Sequence, residues 1–299
     1  MIMLLCSEGK ILSIITAVFQ AIGQALTFIF PISESGHSAI FHNFAARNSG
    51  EVSELTGLIH IGIALGIIIA FYKVFIRNFV EIVNSFREIF SKDLRMRRAS
   101  NSRKFVYFIL ISFVPMLLYF LPVGKSKNLY QALHMLSYDS NLLSEGIAFL
   151  ITATLLLFAS LTMTKNKESR GNQLSVPIAA LFAVLIFIAL PVAGFSISAM
   201  IISAAALFNI NKNIAFRYFI SISVPILIVK GIIEIVICAS YVTIITGIIA
   251  VVVSAAAAYF LSKLFKAVLS DKYLKYFSCY NYAIGAIAAV TGIIQFIIK

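Results

Sequence analysis

A polar break, Phe30-Pro31-Ile32-Ser33-Glu34-Ser35-Gly36-His37, interrupts the apolar N-terminal part of the chain. It follows an apolar run at 11–30, close to the ~20 residues that are needed to cross a bilayer. Proline ends a helix, and serine, glutamate and histidine are costly at membrane depth unless protein or water satisfies them. The break therefore predicts a segment that enters the membrane without crossing it.

The composition is that of a protein embedded in lipid. Of the 299 residues 61% are hydrophobic and 12% are charged, and the mean hydropathy is +0.98. These proportions leave too few polar groups to cover a soluble surface, so we predict an all-α, polytopic transmembrane protein with a single integral membrane domain over 1–299. The net charge of +12 lies mainly in short loops between apolar runs. It indicates topology signals and headgroup contacts, and it argues against a partner that is a nucleic acid.

The distribution of lysine and arginine predicts the orientation in the membrane. Segment 77–104 has eight basic residues, and 164–175 and 263–276 are also basic, whereas 123–144 has two lysines. The positive-inside rule places the three basic segments in the cytoplasm and 123–144 outside. The predicted spans are 11–30, 57–76, 105–122, 145–163, 176–193, 216–238, 241–262 and 281–298.

A second break lies in the other half of the chain and reads Leu190-Pro191-Val192-Ala193-Gly194-Phe195-Ser196-Ile197-Ser198. The predicted topology opens both breaks to the same face of the membrane. A pair of broken apolar segments in the two halves is typical of inverted repeats with a site at the midplane. We therefore predict two re-entrant helical segments, near 31–45 and 194–209.

Both breaks carry the residue types of an anion site. Free N–H groups at the start of a half-helix, with serine hydroxyls beside them, bind anions. The residues that suit this geometry are Ser33, Ser35, Gly36, Gly194, Ser196 and Ser198. The alternative is that each proline only kinks a helix and each serine bonds back to a carbonyl of its own helix.

Ionisable residues inside apolar segments are candidates for function, because burying them is costly. Glu34 and His37 lie three residues apart, on one face of a short helix. The carboxylate could act as a base, as a metal ligand or as a partner for His37. His60, inside a predicted span, either serves the site or donates to a neighbouring helix.

The span 216–238 contains three more such residues. Lys230 and Glu234 are four apart and are expected to pair with each other. Arg217, at the start of the span, could reach a phosphate group or extend to the interface.

The first break resembles a motif of the undecaprenyl-diphosphate phosphatase family, Glu/Gln-x-x-x-Glu-Phe-Leu-Pro-Ile/Val-Ser-Ser-Thr/Ser-Gly-His. Here the stretch reads Gln24-Ala25-Leu26-Thr27-Phe28-Ile29-Phe30-Pro31-Ile32-Ser33-Glu34-Ser35-Gly36-His37. The family's second motif, Pro-Gly-x-Ser-Arg-Ser-Gly-x-Thr, is similar to Ala193-Gly194-Phe195-Ser196-Ile197-Ser198-Ala199-Met200-Ile201, with the proline displaced to Pro191. Stretches at 59–62, 215–225 and 280–285 are also similar, so the resemblance covers nearly the whole chain.

The resemblance implies an inverted-repeat protein of the bacterial plasma membrane, with two re-entrant helix pairs that meet at an outward-facing pocket. It implies removal of the terminal phosphate of undecaprenyl diphosphate, the spent lipid carrier of cell-wall peptidoglycan synthesis, an activity that can confer bacitracin resistance. The implied partners are the polyprenyl (di)phosphate lipid and the membrane, and a homodimer is left open. The implied cofactor is a divalent cation, Mg²⁺ or Ca²⁺, with Gln24 and Glu34 as the predicted ligands.

Three of the departures from the motifs affect positions that the family would use for catalysis or phosphate binding. Phe28 stands at the second acidic position, Glu34 at the candidate serine nucleophile and Ile197 at the phosphate-clamping arginine. Glu34 could restore a carboxylate, and Arg217 or Lys230 could supply the missing cation.

The predicted site therefore combines altered and retained positions. The predicted catalytic residues are Glu34, His37 and Ser35, and the predicted phosphate-binding residues are Ser33, Gly36, Gly194, Ser196, Ser198 and Arg217. The first hypothesis is a membrane phosphatase with a rearranged site. The second is a non-catalytic relative that binds or flips polyprenyl phosphate, and the third is a solute transporter unrelated to lipid phosphate.

Overall fold

The computed structural model describes residues 14–44, 55–90, 100–123, 127–137, 141–165, 173–238 and 243–298. Within these ranges the chain is helical apart from its connections and one short antiparallel strand pair, Pro122–Val123 with Lys127–Asn128. The helices are α1 (Ile14–Ile29), α2 (Glu34–Phe44), α3 (Thr56–Ala70), α4 (Tyr72–Phe90), α5 (Asn101–Phe113), α6 (Leu129–Ser137), α7 (Leu143–Lys165), α8 (Val176–Ala189), α9 (Ile197–Leu207), α10 (Lys212–Cys238), α11 (Ile244–Val268) and α12 (Asp271–Ile298). The predicted all-α architecture is confirmed.

Five helical segments of the described chain are long and apolar enough to cross a membrane. They are α5 with the 3-10 turn Pro115–Phe120 that continues it, α7, α10, α11 and α12. A sixth is α3 with α4, if this bent pair counts as one span. The multi-pass membrane architecture predicted from hydropathy is therefore confirmed.

The bend between α3 and α4 corrects the predicted span 57–76. The helix ends at Ala70, and the chain continues into α4 at an angle of 92°. The prediction failed because the apolar run extends past the bend, so hydropathy alone gave no signal for it. The segment 77–104, predicted to be a loop, is helical as far as Phe90.

Helix α4, which lies partly in the segment predicted to be a loop, is amphipathic. It exposes the aromatic rings of Phe79 and Phe86 together with the guanidinium groups of Arg77 and Arg87. A helix with an apolar face and a basic polar face suits the membrane interface. The cytoplasmic side of this segment stays a prediction from its basic residues.

The interior helices approach one another closely at glycines. α3 packs against α10 and α11, and α7 packs against α9 and α12. At the α3–α10 contact, a Cβ added to Gly57 would lie 2.8 Å from the carbonyl oxygen of Gly231, and one added to Gly231 would lie 2.8 Å from that of Gly57. Small residues of this kind let membrane helices come together backbone to backbone.

Candidate functional site

The two predicted breaks form two helix starts of similar construction. α2 begins after Ser33, whose Oγ accepts a hydrogen bond from the amide of Gly36 at 3.1 Å. α9 begins after Ser196, whose Oγ accepts one from the amide of Ala199 at 3.3 Å. A serine at this position satisfies one of the free amides of the first helical turn. Each helix therefore starts with a Ser-x-Ser sequence in which the first serine is the cap.

The backbone of each break takes a conformation that only a few residues adopt readily. Ser33 has a φ of 61° and Gly194 a φ of 96°, both in the left-handed region that favours glycine. The two turns also lie very close together, since a Cβ on Gly36 would be 2.8 Å from the Cα of Gly194. Small side chains at these positions allow the turns to touch.

Serine hydroxyls join the two turns. Ser33 Oγ donates to the carbonyl oxygen of Phe195 at 2.8 Å, and Ser198 Oγ donates to that of Phe30 at 3.1 Å. Irregular backbone at membrane depth needs partners of this kind, because no water is present to satisfy its carbonyl groups. The bonds cross from each half of the chain to the other.

The structure thus brings together the predicted phosphate-binding residues of both breaks, but it gives several of their hydroxyls structural partners. Ser33, Ser196 and Ser198 are buried, and Ser196 Oγ lies 2.9 Å from Ser198 Oγ. Ser35, a predicted catalytic residue, keeps partial exposure and lies 3.5 Å from the hydroxyl of Ser33. Of the four serines, Ser35 is the one that solvent or substrate can approach.

Glu34, the first residue of α2, belongs to an ion cluster that also involves α3 and α10. Its carboxylate lies 3.3 Å from Lys230 Nζ and 3.5 Å from His60 Nε2. The other nitrogen of His60, Nδ1, lies 2.5 Å from Glu234 Oε2. The side chain of His60 is fully buried, those of Glu34 and Glu234 are 9% and 10% exposed, and that of Lys230 is 30% exposed.

We name Glu34, His60, Lys230 and Glu234 the four-residue cluster. The expected pairing of Lys230 with Glu234 is present, with 3.8 Å between Nζ and Oε1, although Lys230 lies closer to Glu34. His60 donates to a neighbouring helix, one of the two roles that its sequence position left open. In the sequence, the signal for this cluster was the presence of ionisable residues within apolar runs. The spacing of these residues along the chain could not show that they meet across three helices.

The glycine contact of α3 and α10 explains how the cluster forms. Gly57 precedes His60 by three residues, and Gly231 immediately follows Lys230. The direct backbone contact at these glycines brings the imidazole of His60 within reach of α10. A larger residue at either glycine would push the two helices apart and separate His60 from Glu234.

His37 lies on α2 one turn beyond Ser33 and is partly exposed. Its Nδ1 lies 2.8 Å from the carbonyl oxygen of Ser33, and its Nε2 lies 2.7 Å from the hydroxyl of Tyr280 on α12. Because a carbonyl oxygen only accepts, Nδ1 carries the proton, and Nε2 is left as the acceptor in the neutral ring. The ring also stacks on that of Tyr280, with 5.7 Å between their centroids.

Tyr130, the second residue of α6, lies in the region predicted to be external and within electrostatic range of the four-residue cluster. Burial raises the pKa of its phenol, the ammonium of Lys230 lowers it, and the carboxylates of Glu234 and Glu34 raise it. No sequence pattern linked this segment with the site. Its phenol forms part of the surroundings of the cluster.

The predicted metal ligands do not form a site for a divalent cation. Gln24 Nε2 donates to Thr56 Oγ1 at 3.3 Å, and its Oε1 is buried without a hydrogen-bond partner among the described residues. The carboxylate of Glu34 faces the ammonium of Lys230 at 3.3 Å. Phe28 packs its ring 6.3 Å from that of Phe219. In the part of the chain that the structure describes, three or more His, Cys, Asp or Glu side chains are nowhere grouped so that they could hold a metal ion. The donor set does not fit Mg²⁺ or Ca²⁺, because the ammonium of Lys230 already lies 3.3 Å from the Glu34 carboxylate and would repel a second cation there.

Arg217, predicted to bind phosphate, lies apart from the other site residues. Its guanidinium donates to Asn78 Oδ1 at 3.3 Å and lies 4.1 Å from the centroid of Phe105. Thirteen residues of α10 separate it from Lys230, which corresponds to about 20 Å along a helix axis. Of the two cations proposed to replace the missing arginine, the structure therefore brings Lys230 to Glu34 and leaves Arg217 elsewhere.

Known proteins match the chain along most of its length. An undecaprenyl-diphosphatase of Buchnera aphidicola subsp. Baizongia pistaciae is 26% identical over 225 residues, 75% of each chain. One of Alkaliphilus metalliredigens is 24% identical over 297 residues, 93% of this chain and 98% of the relative. One of Korarchaeum cryptofilum is 28% identical over 232 residues, 77% of this chain and 80% of the relative.

The model of a protein family matches residues 17–287, which include both helix starts, the four-residue cluster and Tyr280. The match extends over far more than half of the chain and agrees with the resemblance of the two breaks to the phosphatase motifs. The chain therefore belongs to the bacitracin resistance protein BacA family.

Proposed function

We propose that the protein is a membrane phosphatase that hydrolyses undecaprenyl diphosphate to undecaprenyl phosphate and inorganic phosphate, in the recycling of the carrier lipid for cell-wall synthesis. Family membership over residues 17–287 and the names of its relatives support this proposal. The structural observation that carries it is the contact of two helix starts beside Glu34 and His37. Two helix N-termini at one point favour an anionic headgroup, since both present positive dipole ends to it.

In the proposed reaction the oxygen of a water molecule attacks the terminal phosphorus, and the bond from this phosphorus to the bridging oxygen breaks. The lipid monophosphate leaves with that oxygen. His37 takes the proton of the water at Nε2, because Nδ1 already donates to the carbonyl of Ser33. Tyr280, which bonds Nε2 in the structure, yields this position to the water when substrate binds.

The remaining groups position the phosphates and balance their charge, which is most of what phosphoryl transfer requires. Amides at the starts of α2 and α9 and the partly exposed hydroxyl of Ser35 are suited to the phosphate oxygens. Glu34 is better suited to holding Lys230 than to attacking phosphorus, because its carboxylate already faces that ammonium and His60. We therefore assign attack to water and not to Glu34.

The second candidate function is binding or flipping of polyprenyl phosphate without hydrolysis. One observation favours it, namely that the two polar motif positions at Phe28 and Ile197 are occupied by apolar side chains, and that Phe28 is packed against Phe219. The same helix starts would then hold a phosphate that no group attacks.

Release of inorganic phosphate from undecaprenyl diphosphate by the purified protein in detergent tests the proposal. We expect release by the wild type and a fall of about 100- to 10,000-fold in His37→Ala, which is typical for the loss of a general base. Thr291→Ala is the matched control, since this hydroxyl bonds only within α12, to the carbonyl of Ile287. Equal release by His37→Ala and wild type would contradict the assignment. No release by a folded wild type that binds the monophosphate would favour the second function.

A further inference from the structure

Lys230 holds the central position in the four-residue cluster. Its ammonium nitrogen lies 3.3 Å from Glu34 Oε2, 3.8 Å from Glu234 Oε1 and 3.5 Å from His60 Nε2. Two carboxylates that converge on one point would ordinarily draw a cation to that point. Here the cation is part of the chain, carried on α10.

An ammonium placed between two carboxylates disfavours a divalent ion at the same point. A metal ion held by Glu34 and Glu234 would lie within a few ångströms of a like charge, and repulsion between like charges is strong where water is scarce. The two carboxylates are the anionic donors at this point, and Lys230 engages both. Gln24, whose amide nitrogen donates to Thr56 Oγ1, has only one neutral oxygen to add.

Lys230 is also the most exposed member of the cluster, at 30% of its side chain against 10% or less for the other three. Of the four side chains, that of Lys230 is therefore the most accessible to an incoming headgroup. A compact ammonium on a flexible stem is a common ligand for phosphate. It can approach a diphosphate while the carboxylates behind it keep it charged and in place.

We infer that the ammonium of Lys230 performs the role of a divalent cation at this site, so that the phosphatase works without Mg²⁺ or Ca²⁺. This inference rests on the proposed function, since it concerns how the same headgroup is neutralised. It assigns Lys230 to the terminal phosphate, and it assigns Glu34, Glu234 and His60 to holding Lys230. The last three are positioning residues in this scheme.

The first arm of the test measures phosphate release by the full-length protein with Mg²⁺ and, separately, with an excess of chelator. Equal release in the two conditions is the expected result. Release that chelator abolishes and Mg²⁺ restores would overturn the inference while supporting the phosphatase function. Absence of release in both conditions would overturn the function itself and the inference with it.

The second arm of the test replaces Lys230 and measures metal binding as well as phosphate release. Lys230→Ala should lower release about 100-fold, the usual cost of removing one charged donor from a phosphate or oxyanion site. It should also gain saturable Mn²⁺ binding, seen by electron paramagnetic resonance, because the carboxylates of Glu34 and Glu234 are no longer engaged by the ammonium. Lys230→Arg should retain part of the release, and it should not bind Mn²⁺.

Lys263→Ala, which removes an exposed lysine of α11 that lies over the ring of Tyr259, is the matched control. It should leave release unchanged and should not bind Mn²⁺. Saturable Mn²⁺ binding by the wild type, or full release by Lys230→Ala, would overturn the inference. If Lys230→Ala fails to fold, the wild-type Mn²⁺ titration and the behaviour of Lys230→Arg decide.

Discussion

The two helix starts at the centre of the molecule share a construction but differ in chemistry. Ser33 and Ser196 cap α2 and α9 in the same way, and each is followed two residues later by another serine. Between the serines stands Glu34 in one start and Ile197 in the other. The shared part holds the two turns together, whereas the charged cluster is attached to the first turn alone. Structural and chemical roles are thus divided between the two halves of the chain.

The largest expected effect on phosphate release comes from replacing the residue that stands between the two serines of a helix start. This change separates the chemical role of a helix start from its structural role. We expect Glu34→Ala to lower phosphate release about 100-fold or more, because Lys230 loses its nearest carboxylate and its fixed position. Ile197→Ala, the matched change at the other start, should leave release nearly unchanged. Initial rates on undecaprenyl diphosphate measure both. Similar losses of phosphate release in Glu34→Ala and Ile197→Ala would show that the two helix starts do not differ in their chemical role.

The hydroxyls that join the turns should show a different pattern, with losses from both halves. Ser33→Ala and Ser198→Ala each leave a carbonyl without its donor, which costs about 1–3 kcal/mol of the free energy of unfolding, and Ser33→Ala also removes the cap of α2. The double variant should lose less than the sum, since both bonds join the same pair of turns. Unfolding in mixed detergents measures these free energies.

Ser203→Ala is the control for that pair. This serine is equally buried in α9, and its hydroxyl has no hydrogen-bond partner among the described residues. We expect no loss of stability there. A loss as large as in Ser33→Ala would mean that removal of any buried hydroxyl, and not the contact between the turns, sets the cost.

The smallest expected effect concerns the ring that faces His37. Tyr280→Phe removes the hydroxyl bonded to Nε2 but keeps the stacked ring. One hydrogen bond of about 1 kcal/mol corresponds to about fivefold in rate. Phosphate release should therefore rise by roughly that factor, because the water no longer competes with this hydroxyl for Nε2, while folding is retained. Tyr276→Phe, one turn earlier on α12, should have no effect. A complete loss of release in Tyr280→Phe would give this tyrosine a direct part in the reaction.

The sequence predicted those features that depend on the local order of residues. Both breaks, the polytopic helical architecture and the pairing of Lys230 with Glu234 follow from prolines, hydropathy and spacing along one helix. The bend at the end of α3 was missed because the apolar run continues through it. The meeting of Glu34 with Lys230 was missed because 196 residues separate them, and no local pattern encodes a contact between distant helices. Arg217 was assigned to phosphate on its charge, but its neighbours Asn78 and Phe105 come from two helices whose packing was unknown.

The bonds between the two turns also have a consequence for biosynthesis. Ser33 and Phe195 are 162 residues apart, and the carbonyl of Pro31 accepts from Asn281, 250 residues later. A nascent chain therefore inserts its first polar turn long before the groups that satisfy it have left the ribosome. Until α9, α10 and α12 arrive, this turn must be shielded by water, lipid headgroups or the insertion machinery. The site is therefore completed only when α12 has entered the membrane.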